Sequence, residues 1–188
     1  MKTLLLKTAT NNKAIHIVDE MFSKDELQFL DDYCENELGE QSLSNSVGWD
    51  KRLIEGISGD IRVTRTEYPL DPELYELIVP RCNEAFGIDI ADCCIQLYQG
   101  EGKAGINWHT DGNYKAAISI YLTEGWNRDY GGLFSFTMNE EDDGLYTSIL
   151  PKRNRGLIQK GGVHHGVTSI TDSAPIRKSL QIWIYELH

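Results

Sequence analysis

The chain has 188 residues, 40% of them apolar and 25% charged, the proportions of an ordinary globule with one substantial core. Its 18 basic and 29 acidic side chains give a formal charge of -11, which repels phosphate backbones at long range and argues against duplex nucleic acid as a partner. No apolar run is long enough to cross a bilayer, so no membrane partner is expected.

At the start, Leu4–Leu6 is cut short by Lys7, too early for the apolar stretch of a secretion signal. The segment reads as an exposed end or edge strand. Residues 15–23 read as a strand entering a helix at 24–37, with Ser23 and Glu26 forming a capping box and Gly39 ending it. Leu27, Leu30, Tyr33 and Cys34 share one face of that helix. A second helix is predicted at 71–85, with Pro72 in its first turn and Leu74, Ile78, Cys82 and Phe86 at helical spacing.

From Cys93 the pattern changes to short strands separated by turn residues, at 93–98, 116–122, 133–136, 146–150, 156–159, 163–170 and 178–186. The last alternates most clearly, with Leu180, Ile182 and Ile184 opposite Gln181, Trp183 and Tyr185. Such a series predicts a mainly β fold with flanking helices, a double-stranded β-helix (jelly roll) buttressed on one sheet by both helices. Nothing divides the chain, so a single domain over 1–188 is expected, with its barrel core at about 92–186. Cys34, Cys82, Cys93 and Cys94 have neither Cys-x-x-Cys nor zinc-ligand spacing. Cys93 and Cys94 would face opposite sides of a strand. Reduced thiols and a cytoplasmic location are expected.

Chemistry concentrates around the histidines of this second half. His109 and Asp111 in NWHTDG lie two apart, so on an extended segment both side chains face one side. A histidine from GGVHHGV, His164 or His165, can complete the set if its strand lies alongside. Two neutral imidazoles and a carboxylate hold Fe(II) on one face and leave the other open for substrate-derived ligands and O2. Alone, a His-x-Asp pair is weak evidence and reads more readily as a solvated turn. Arg177 and Ser179 share a face at the start of the last strand, where guanidinium and hydroxyl suit a carboxylate. An arginine in a surface ion pair is the plainer alternative.

The pieces IQLYQGEGKAGINWHTDG, ISIYL, GWNRDYGGLFSF, ILPKRNRGLI, HHGVTSI and RKSLQIW, in this order over residues 95–183, resemble the iron(II)- and 2-oxoglutarate-dependent dioxygenases, in their prolyl-hydroxylase-like branch. The opening HIVDEMFSKDELQFLDDY is similar to that family's usual start. The resemblance implies that His109, Asp111 and His165 are the iron ligands and catalytic centre, because the distal histidine of the family begins a His-x-Val. It leaves His164 pointing away. It implies that Arg177 binds the far carboxylate of 2-oxoglutarate with Ser179 as helper, and that Tyr98 lines or binds the cosubstrate. Gly131-Gly132 matches a turn before a barrel strand.

Two departures stand out: arginine where prolyl hydroxylases often carry lysine, and serine in HGVTSI where proline is frequent. Both loosen the link to proline as target. Asp111 occupies the position that related halogenases leave to a small residue, which favours hydroxylation. The implied reaction hydroxylates an unactivated C–H bond of an amino acid, a peptide or protein side chain, or a small metabolite. Succinate and CO2 are released, and ascorbate serves as reductant. Candidate mouth residues are Asn107, Trp108, Asn113 and Tyr114, with one of Arg62 and Arg65, and Trp126 reads as structural. The alternatives are a cupin-like metal protein without 2-oxoglutarate and a catalytically silent ligand-binding relative.

Overall fold

In the computed structural model, residues 1–7, 14–36, 41–42, 50–65, 72–112, 114–137, 145–160 and 162–188 are described. Strands β1 (Lys2–Lys7) and β2 (Ala14–Asp19) lead into helix α1 (Lys24–Asn36). The helix begins with the reciprocal cap its sequence predicts. Ser23 N–H donates to Glu26 Oε2 at 2.7 Å, and Glu26 N–H donates to Ser23 Oγ at 3.3 Å. Gly39, the predicted stop, lies outside the described residues. After β3 (Gln41–Ser42), a 3-10 turn at Lys51–Ile54 and β4 (Ile61–Arg65), helix α2 runs over Pro72–Phe86. The remainder is strands: β5 (Ile90–Gly100), β6 (Ile106–His109), β7 (Ala116–Tyr121), β8 (Phe134–Thr137), β9 (Tyr146–Ile149), β10 (Arg155–Lys160), β11 (His165–Val167) and β12 (Arg177–Leu187).

These strands form two antiparallel sheets. The larger has the order β1-β2-β10-β7-β12-β5-β4-β3, and the smaller β6-β11-β8-β9. Along β12 the predicted alternation sorts side chains onto two faces. Leu180, Ile182 and Ile184 are fully buried among Leu30, Cys34, Leu74 and Ile78, so both helices cover one face of the large sheet. Arg177, Gln181 and Trp183 line the space on the opposite face, between the sheets, with Ser179 fully buried on that face. That space is apolar at one end, where Ile15, Tyr121, Phe134, Phe136 and Leu157 pack together. Cys93 joins the helix-side core and Cys94 faces away from it.

The mainly β architecture with two flanking helices is as expected, whereas ladder pairing does not close the two sheets into one barrel. Outside the strands a single bridge, Gly131 to Ile170, pairs two turns among the described residues. The strand predicted at 163–170 is reduced to His165–Val167, and its register with β6 shifts within those residues. Conversely, β4 and β6 were not predicted. In β4 the signal was present but short, with Ile61 and Val63 buried and Arg62 exposed between them.

Candidate metal centre

β6 and β11 are neighbours, and His109 and His165 are direct partners in their register. Their rings stand 4.3 Å apart between centroids. Asp111 follows β6 by two residues, and its carboxylate faces both rings. His109 Nε2 is 3.4 Å from Oδ1, and His165 Nε2 is 3.5 Å from Oδ2. One ligand atom from each of the three lies within 4.8 Å of the others, close enough to hold a metal ion.

Backbone carbonyls fix the tautomers. Nδ1 of His109 lies 2.7 Å from Asn107 O, and Nδ1 of His165 lies 2.9 Å from Val163 O. A carbonyl only accepts, so both Nδ1 atoms carry the hydrogen and both Nε2 lone pairs face the centre. Burial pushes the His165 imidazole down to about 4, keeping it neutral and ready to ligate. For His109 burial acts in the same direction, but the Asp111 carboxylate and the Asn107 carbonyl outweigh it and raise the imidazole. Phe134 stacks on the His165 ring at 5.1 Å and limits its rotation.

His164 points the other way. It is exposed, and its ring rests 5.5 Å from Trp108 on the outer face of the small sheet. The structure also places Gln159 of β10 at the centre, which the sequence did not suggest. Its Nε2 donates to Asp111 Oδ2 at 2.6 Å and lies 3.1 Å from His165 Nε2.

A pocket open at its mouth runs from these residues to Arg177 and includes Tyr98. Arg177 is 8% exposed, and no acidic side chain pairs with it among the described residues. Its guanidinium lies over the Tyr121 ring at 5.0 Å and reaches Ser179 Oγ at 3.4 Å. Arg177 Nε and Tyr121 Oη are both buried without a hydrogen-bond partner among the described residues. Burial pushes the tyrosine hydroxyl up to about 12 and the arginine below its usual range. A buried cation with spare donors is costly unless an anion joins it. Two imidazoles and one carboxylate suit a facially coordinated Fe(II), and the Arg177–Tyr121 end suits a carboxylate. Tyr121 escaped notice because ISIYL is buried throughout and its sequence does not mark the inward face.

Tyr98 is buried and donates to Gln96 Oε1 at 3.1 Å, an oxygen shared with the Trp183 indole N–H at 3.2 Å. At the mouth, Asn107 Nδ2 donates to the Arg52 and Glu55 carbonyls, both at 2.9 Å, and so ties the 3-10 turn beside His109. Tyr114 packs on Trp183, with centroids 4.8 Å apart. Trp108 is 42% exposed and packs outward, while Trp126 is buried with its N–H on Gly131 O at 3.0 Å. Arg62 forms a surface pair with Glu101. Asn113 and the side chain of Arg65 lie outside the described residues.

Residues 94–185 match the family model described as the 2OG-Fe(II) oxygenase superfamily. No curated protein sequence matches the chain. Among solved structures, a prolyl-4-hydroxylase of Pseudomonas putida is 16% identical with a TM-score of 0.66, over 92% of each chain. A 2OG-Fe(II) oxygenase family oxidoreductase of Burkholderia pseudomallei is 17% identical with a TM-score of 0.66, over 90% of this chain and 84% of that one. A prolyl hydroxylase of Trichoplax adhaerens, solved with a hypoxia inducible factor oxygen degradation domain peptide, is 18% identical with a TM-score of 0.61, over 91% and 83%. These likenesses are of fold. Residues 94–185 of this chain are a domain of the 2OG-Fe(II) oxygenase superfamily, and its two histidines and one carboxylate serve an Fe(II)- and 2-oxoglutarate-dependent, hydroxylase-type reaction.

Proposed function

We propose that the whole chain is a single-domain dioxygenase that hydroxylates an unactivated C–H bond, most suitably on a peptide or protein side chain, with release of succinate and CO2. Free amino acids and small metabolites are the competing substrates. The observation that carries this reading is the pairing, in one pocket, of the His109/Asp111/His165 cluster with Arg177, a buried cation lacking an acidic partner among the described residues. We assign His109, Asp111 and His165 as iron ligands. Arg177 takes the far carboxylate of 2-oxoglutarate, with Tyr121 and Ser179 donating beside it and Tyr98 lining the same space. Bound iron would activate O2, using electrons released as 2-oxoglutarate loses CO2.

The protein's own tasks are positional. The Asn107 and Val163 carbonyls hold both imidazoles in the ligating tautomer. Arg177 anchors the oxo acid by charge and direction, and the apolar wall of Phe134, Val167 and Ile170 keeps water from the reacting end. The two sheets are read as the faces of a double-stranded β-helix. The reduced cysteines agree with cytoplasmic residence, and ascorbate as the restoring reductant follows from the chemistry. No helix among the described residues is long and apolar enough to cross a membrane. The peptide complex of the Trichoplax neighbour supports a peptide-bearing substrate here. Proline is one candidate among the side chains it could present.

The test is iron- and ascorbate-supported decarboxylation of 2-oxoglutarate. Wild type should turn over, His165→Ala should not, and Arg177→Ala should bind 2-oxoglutarate roughly 30-fold more weakly, for a loss of about 2 kcal/mol. Absence of Fe(II) and 2-oxoglutarate binding to the wild type would overturn the assignment. Loss of turnover in His164→Ala, with His165→Ala intact, would reassign the third ligand.

A further inference from the structure

Gln159 approaches the ligand cluster from a different sheet. His109, Asp111 and His165 belong to β6, its trailing loop and β11, whereas Gln159 comes from β10 of the large sheet. Leu157, on the same face of that strand, is fully buried in the apolar end of the inter-sheet space, so Gln159 must also point inward. It is 5% exposed. Its amide orientation follows from chemistry: the Asp111 carboxylate is an acceptor, and His165 Nε2 is the bare nitrogen of a ring whose Nδ1 hydrogen is already used. The carboxamide NH2 therefore faces both, and the oxygen Oε1 is left buried without a partner among the described residues.

We propose that Gln159 is a positioning residue of the metal centre, holding Asp111 as a ligand that offers one oxygen. This rests on the metal-centre reading above. At 2.6 Å the bond to Asp111 Oδ2 is short and charge-assisted, so that oxygen is taken and Oδ1, on the His109 side, is the free one. The contact to His165 is longer and neutral. It keeps the imidazole lone pair directed inward in the metal-free protein, and a metal ion displaces it. Removing Gln159 thus has two opposed effects. Asp111 loses its orienting donor, and His165 loses a weak competitor. The charge-assisted bond is the stronger of the two, so orientation of Asp111 decides the sign.

The experiment compares full-length wild type, Gln159→Leu and Gln159→Met, which keep bulk but remove the amide. Mn(II) is titrated into metal-free protein by calorimetry, and the paramagnetic resonance spectrum of bound Mn(II) is recorded. Outer-shell hydrogen-bond partners of metal ligands typically account for about 10-fold to 100-fold in affinity. Both variants should bind Mn(II) at least about tenfold more weakly, with an altered spectrum reporting a changed carboxylate mode. A merely structural residue would lower the melting temperature without changing the spectrum of the metal that still binds. Equal or tighter Mn(II) binding in the variants, or an unchanged spectrum, overturns the proposal while leaving the metal centre intact. If one variant folds poorly the other decides. Failure of the wild type to bind Mn(II) would instead sink the metal-centre reading on which it rests.

Discussion

Arg177 shows how a single residue can be fixed by neighbours that make no polar bond to it. Gly132, at φ 62°, is one such neighbour: a Cβ there would lie 3.0 Å from Arg177 Cδ, 3.0 Å from Trp126 Cζ2 and 3.1 Å from Ile170 Cγ1. Gly132→Ala should therefore push the guanidinium out of line and strain its own backbone, at about 1–3 kcal/mol. The expected outcome is several-fold weaker 2-oxoglutarate binding with Mn(II) affinity unchanged, measured by separate titrations. Equal losses for both ligands would mean general collapse of the pocket. Tyr121→Phe probes the same end more gently. It deletes a buried hydroxyl with no hydrogen-bond partner among the described residues, so the protein without cosubstrate should be no less stable in thermal melting, while 2-oxoglutarate binds more weakly.

The pairs of strands and turns carry their own tests. β2 and β10 meet with Asp19 opposite Arg155, whose Nε and Nη2 donate to the carboxylate at 2.6 and 3.0 Å. That guanidinium, with Lys152 nearby, holds the Asp19 carboxyl below its ordinary value. The folded pKa is the lower one, so the pair's stabilisation is present above the ordinary carboxylate range and is lost as pH falls through the folded value. Asp19→Asn should cost about 1–2 kcal/mol at neutral pH, about 2–8 °C in melting temperature. The gap from wild type should narrow as pH falls below the ordinary carboxylate range. A gap that stays constant with pH would assign the effect to packing. Asn107→Ala should release the Lys51–Ile54 turn, seen as faster amide exchange over residues 50–57, because two side-chain bonds are lost while the carbonyl that orients His109 remains.

For the molecule as a whole, what could be read in the sequence depends on whether a signal is local. The capping box of α1, the two-face alternation of β12 and the shared side of His109 and Asp111 are all set within a few residues. The choice between His164 and His165 came from the His-x-Val likeness, and their opposite directions at the start of β11 give it a geometric form. Gln159 and Tyr121 were not legible. Each lies in a strand buried on both faces, and only the pairing of β10 and β7 with their neighbours decides which side chains look inward. β6 was missed because four residues between glycine-rich turns are too few for a period to show.

The two sheets share little backbone pairing, yet the ligand cluster lies at their seam, with Asp111 and both histidines on one side and Gln159 on the other. A divalent ion seated there would act as a rivet through two plates. Binding free energy then appears as resistance to their separation, larger as free metal rises above Kd. Chelation should speed amide exchange together in β10 and β11 while the helix-covered face of β12 stays protected. A metal-starved cell would thus hold this protein in a looser form, more open to proteases at the seam than at the helices.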